Sequence, residues 1–118
     1  MTTLIIGASP NKKRYSYKAI QKLRKLNFEV YALGLNDGLI RDVKIQTQPV
    51  KYKNIHTVSI YLKPQNQSQY LGYLLKLMPE RVIFNPGSEN QIFMNKLKEK
   101  KISCENSCTL FLLSTNQY

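Results

Sequence analysis

The chain has no tryptophan, one histidine and two cysteines in 118 residues, and only 7 Asp plus Glu stand against 18 Lys plus Arg. Each scarcity excludes something. Two cysteines, Cys104 and Cys108, cannot make a disulfide framework, and their spacing matches neither a redox Cys-x-x-Cys nor a zinc-ligand set. His56 has no Cys or carboxylate cluster beside it in sequence, so a metal site is not expected, and a general-base role has no support. No apolar run approaches the roughly 20 residues that a membrane-spanning helix needs. The opening Met-Thr-Thr-Leu-Ile-Ile-Gly has neither a basic n-region nor a long apolar h-region, and a cytoplasmic protein is expected.

The apolar fraction, 42%, suffices for a hydrophobic core, and 118 residues suit a single domain spanning 1–118. The shortage of acids leaves a net charge of +11, which favours an anionic partner: nucleic acid, an acidic protein or a phosphate-rich small molecule.

Periodicity alternates between strand and helix. Thr3-Leu4-Ile5-Ile6 is wholly apolar and runs into Gly7, as a buried strand of a parallel sheet does. Tyr17, Ala19, Ile20, Leu23 and Leu26 recur at three- and four-residue steps, with Lys18, Gln21, Lys22, Arg24 and Lys25 between them. The pattern predicts an amphipathic helix from about Ser16 that stops at Asn27. Further strands are expected over Glu29–Leu33, Thr57–Leu62, Arg81–Phe84 and Ile102–Glu105, with helices over about Asn66–Met78 and around Ile92–Leu97. A terminal helical turn is expected over Thr109–Leu113. Val43, Ile45 and Thr47 alternate with polar residues, so Gly34–Asn54 reads as an extended segment rather than a crossover helix. The expectation is an α/β, doubly wound, five-stranded parallel sheet. Ligands of such sheets sit outside the carboxyl ends of the strands. That edge would collect Gly7–Tyr15, Gly34–Asp37, Lys63-Pro64 and Asn85–Asn90.

The loop from Gly7 to Ser16 is the strongest chemical feature. Gly7 permits a sharp turn, Ser9, Asn11 and Ser16 offer polar hydrogens, and a helix start presents unpaired N–H groups to an anion. Lys12, Lys13, Arg14 and Lys63 lie in or beside loops at this edge. Arg14 suits bidentate phosphate binding, and the lysines act as point charges. The three-glycine dinucleotide fingerprint is absent.

Gly7-Ala8-Ser9-Pro10-Asn11, followed by Arg14-Tyr15-Ser16-Tyr17, resembles the opening loop of small CoA-binding proteins. These are single-domain relatives of the CoA-binding domain in the succinyl-CoA synthetase α subunit. The resemblance continues through Glu29-Val30-Tyr31, Pro86-Gly87-Ser88-Glu89-Asn90 and Cys108. It departs at Asn36-Asp37, where relatives usually carry Asn-Pro, and at Ser107, where arginine is common. The resemblance implies a three-layer Rossmann-like fold that binds CoA or acyl-CoA, with the pyrophosphate at the Gly7–Ser16 loop. The resulting cofactor-binding set is Gly7, Ala8, Ser9, Asn11, Lys12, Arg14, Tyr15, Ser16, Asn36, Lys63, Pro64, Asn85, Pro86 and Gly87.

No catalytic residue is assigned. The synthetase's phosphohistidine domain has no counterpart in so short a chain, and ligase activity is not expected. Glu89 reads as a helix-dipole partner rather than an acid or base. Cys108 reads as an inert cysteine, with a mixed disulfide to the CoA thiol as the alternative. An NAD(P)-binding regulatory or oxidoreductase-like domain is the second hypothesis. NAD would want an acid after the second strand, for which Asp37 is the only candidate. A nucleic-acid partner is disfavoured, because most of the eight tyrosines fall within expected helices or strands and no RNA-binding motif accompanies them. A protein partner or a homodimer remains open.

Overall fold

The computed structural model describes residues 1–118 as a twisted sheet with helices on both faces. Its strands are β1 (Thr3–Ile6), β2 (Val30–Leu33), β3 (Gly38–Ile40), β4 (Val43–Gln46), β5 (Thr57–Ile60), β6 (Arg81–Phe84) and β7 (Ser103–Asn106). The helices are α1 (Tyr15–Lys25), α2 (Leu71–Leu77), α3 (Gln91–Glu99) and α4 (Thr109–Ser114). The strand order is β3-β4-β2-β1-β5-β6-β7. All neighbours are parallel except β3 and β4. No helix is long and apolar enough to cross a membrane.

The sheet therefore has seven strands, not the five expected from sequence. The two additional strands form a hairpin inside the segment read as merely extended. Arg41, at φ 53°, makes its tight turn, and nothing like Asn-Gly or Asp-Gly signals a hairpin there. Ile40, Val43 and Ile45 turn inward and Leu39 and Lys44 outward, the alternation of a half-covered edge. Residues 48–55 then cross back to β5 without a helix. Tyr52 of this crossing stacks on Tyr31 at 4.2 Å, and the Tyr73 hydroxyl donates to the Val50 carbonyl.

β1 and β5 are buried at every position because both faces of a central parallel strand are covered. On one face Leu4, Ile6, Val58, Ile60, Val82 and Phe84 meet Leu74 of α2 and Phe93 and Leu97 of α3. The Phe84 ring meets the Phe93 ring edge-on, with centroids 5.9 Å apart. On the other face Ile5 and Ala32 meet Ile20 and Leu23 of α1 and Leu113 of α4. Asn27 adopts φ 66°, the left-handed stop expected for α1.

The helix expected over Asn66–Met78 is shorter. Pro64–Asn66 and Ser68–Tyr70 form 3-10 turns, and only Leu71–Leu77 is α-helical. Gln67, between the turns, is buried with its side chain bonded to loop carbonyls. Met78, expected on the inner side, is exposed in the left-handed region at φ 50°. The following Pro79 disfavours a further helical residue there.

Candidate functional site

Strand order reverses between β1 and β5, and a cleft of about 660 Å³ opens at the carboxyl ends of the strands there. Gly7 turns the chain out of β1 at φ 91°, and a Cβ on it would lie 2.9 Å from both the carbonyl carbon and oxygen of Tyr61. Gly34 ends β2 so close to the first loop that a Cβ would lie 2.1 Å from the Ala8 carbonyl oxygen. These two glycines seat the first loop between the ends of β2 and β5.

Within that loop the hydrogen bonds divide sharply. The N–H groups of Gly7 and Ala8 both donate to the Leu33 carbonyl, at 2.9 and 3.0 Å. Ser9 Oγ accepts from the Asn11 N–H at 3.1 Å, and Asn11 Oδ1 accepts from the Lys13 N–H at 3.0 Å. The loop is thereby shaped from within. The start of α1 is not: no side chain caps it, its first turn holds no acid, and its first N–H groups are open.

Of the residues expected to bind a cofactor, Gly7, Ala8, Ser9, Arg14, Tyr15, Ser16, Asn36, Lys63, Pro86 and Gly87 line this one cleft. Asn11, Lys12, Pro64 and Asn85 do not line it. Asn11 shapes the loop, and Pro64 opens a 3-10 turn. Asn85 is buried, its polar atoms already engaged: Nδ2 donates to Ser59 Oγ at 2.8 Å and the Ile60 carbonyl at 2.9 Å, and Oδ1 accepts from the Thr109 N–H at 2.9 Å.

The cleft also has a wall that the sequence did not announce. Leu62, Asn66, Gln69 and Tyr70 form it, Leu62 and Tyr70 packing on the core beneath α2 and α3, while Tyr61 packs with the core of the other face. Leu35 and Ser88 join the lining from loops expected at this edge. Gln67 lies behind this wall, donating to the carbonyls of Leu62 at 2.9 Å and Ser88 at 2.7 Å and so tying the β5 and β6 loops together. Its Oε1 accepts from Asn90 Nδ2 at 3.2 Å, and Asn90 Oδ1 caps α3 through the Phe93 N–H. No sequence pattern marks Gln67. Gly34, directly after a strand, carried a usable signal.

The charges are one-sided. Arg14 and Lys63 line the cleft, and no carboxylate does. Asp37, the acid a ribose would need, lies outside the lining. Glu89 turns its carboxylate onto the Gly87 N–H at 2.8 Å. His56 is at the opposite edge of the sheet, with Nδ1 2.8 Å from Thr57 Oγ1 and Nε2 3.3 Å from Glu80. The buried Tyr61 hydroxyl has its pKa raised by desolvation, and the Cys104 thiol is likewise pushed up to about 11 by burial.

A family model described as a CoA binding domain matches residues 1–114. The chain belongs to the CoA-binding domain family. Its Rossmann-like fold recurs in solved structures. An uncharacterized protein, 37% identical, superposes with a TM-score of 0.96, over 99% of this chain and 97% of the other. A Thermus thermophilus protein is 18% identical with a TM-score of 0.86, over 99% and 90%. A hypothetical protein of Pyrococcus horikoshii OT3 is 20% identical with a TM-score of 0.85, over 96% and 81%. No curated protein matches this CoA-binding domain.

Proposed function

We propose that this domain binds CoA or an acyl-CoA without transforming it, with the pyrophosphate at the start of α1. The observation that carries this reading is the uncapped start of α1, which opens beside Arg14 into a cleft lined by cations and by no carboxylate. Lys12 and Lys13 precede it, so positive side chains crowd the positive end of a helix dipole. That arrangement is repulsive until an anion enters, and a pyrophosphate matches open N–H groups flanked by Arg14 and Lys63.

The two arms of the cleft differ. Beyond β2, the exposed Leu35 and the Asn36 amide offer an apolar surface and a hydrogen-bonding edge, suited to an adenine. Beyond β5 and β6, Leu62, Tyr70 and Pro86 form an apolar wall with the Asn66 and Gln69 amides set into it. An uncharged chain containing amides, such as pantetheine, fits that wall. The absence of a carboxylate in the lining weighs against NAD, whose adenosine ribose hydroxyls want one.

A thermal-shift series with CoA, acetyl-CoA, NAD(H) and NADP(H) tests the reading. CoA at a hundred times its Kd should stabilise the fold by about 2.7 kcal/mol, and NAD(H) should do far less. Protection by NADPH but not CoA would replace this reading with an NAD(P)-binding one.

A further inference from the structure

Two helix starts border the cleft, and they are in opposite electrostatic states. The first turn of α1 has no cap and is preceded by cations. The approach to α3 is tied to its own chain: Asn90 caps the Phe93 N–H, Ser88 N–H donates to the Asn85 carbonyl at 2.8 Å, and Ser88 Oγ donates to the Ile60 carbonyl at 3.1 Å. The N–H of Gly87, a residue of the cleft lining, is occupied by the Glu89 carboxylate at 2.8 Å. Gly87 adopts φ 93°, and its Cα faces space in which a Cβ would meet nothing within 4 Å, so a ligand can approach this turn closely.

We infer that Glu89 makes this end of the cleft selective for CoA carrying a free thiol or an uncharged acyl group, against acyl groups that end in a carboxylate. The inference rests on the CoA reading, with the pantetheine arm running along the apolar wall toward Pro86 and Gly87. An acyl carboxylate arriving at Gly87 meets a carboxylate that already holds the Gly87 N–H. The lattice through Gln67, Asn90 and Ser88 holds the turn, and with it the Glu89 carboxylate, in place. At the partly solvated separations of a cleft rim, a repulsion between two carboxylates weakens binding by about fivefold, and the effect shrinks with added salt.

Isothermal titration of the wild-type protein and Glu89→Gln with CoA, acetyl-CoA and malonyl-CoA decides it. Gln retains an oxygen to accept the Gly87 N–H, so the turn keeps its shape. The wild type should bind CoA and acetyl-CoA alike and malonyl-CoA about fivefold more weakly, with the gap closing in Glu89→Gln. Equal binding of all three by the wild type, or a gap that persists in Glu89→Gln, overturns the inference while leaving the CoA reading intact. Failure of CoA itself to bind overturns both.

Discussion

The loop that leaves β1 and the turn that leaves β6 both carry a glycine near φ 90°, and both lead into a helix beside the same cleft. Their chemistry diverges because their side chains spend hydrogen bonds differently. In the first loop, Ser9 and Asn11 shape the chain before the helix and leave the start of α1 open. In the second, Asn85 and Ser88 bond to the neighbouring strand, Glu89 holds the Gly87 N–H and Asn90 caps the Phe93 N–H of α3. A helix start attracts an anion only when its own chain has not already supplied the acceptor.

The glycines give the largest test of that contrast. Gly34→Ala would drive a Cβ to 2.1 Å from the Ala8 carbonyl oxygen, backbone against backbone. It should cost about 3 kcal/mol or more in urea unfolding. Asn85→Ala should come next, at about 3 kcal/mol, because it strands the buried Thr109 N–H and removes the bonds to Ser59 and Ile60. A loss near that of an exposed asparagine would show that the second turn is not held from within. Arg14→Gln leaves the core untouched and should weaken CoA binding about tenfold by calorimetry, with a shallower salt dependence. Unchanged affinity would remove Arg14 from the anion site. Gly87→Ala should have the smallest effect, about 1 kcal/mol in urea unfolding, since it meets no steric obstacle and is strained only through its positive φ.

Much of the frame was legible in the sequence. The apolar runs Thr3–Ile6 and Arg81–Phe84 are strands as expected, since a buried central strand needs no more signal than continuous hydrophobicity. Asn27 ends α1 by the left-handed conformation that its side chain tolerates. The hairpin Gly38–Gln46 was hidden because its turn, Arg41-Asp42, is not a recognised hairpin dipeptide. At the site, the first loop could be read from its glycine, its small polar residues and its cations, all local in sequence. The inward commitment of Asn85 could not. Its partners Ser59 and Thr109 lie 26 and 24 residues away, and only the assembled sheet brings them together. Gln67 was hidden for the same reason: its bonds run to Leu62 and to Ser88, 21 residues on.

The contrast between the two helix starts can be measured directly by following backbone amide resonances while inorganic pyrophosphate is added. The account predicts saturable shifts centred on Tyr15, Ser16 and Tyr17, with the amides of Gly87 to Phe93 unmoved. Saturable shifts centred on Gly87 to Phe93, with the start of α1 silent, would contradict it.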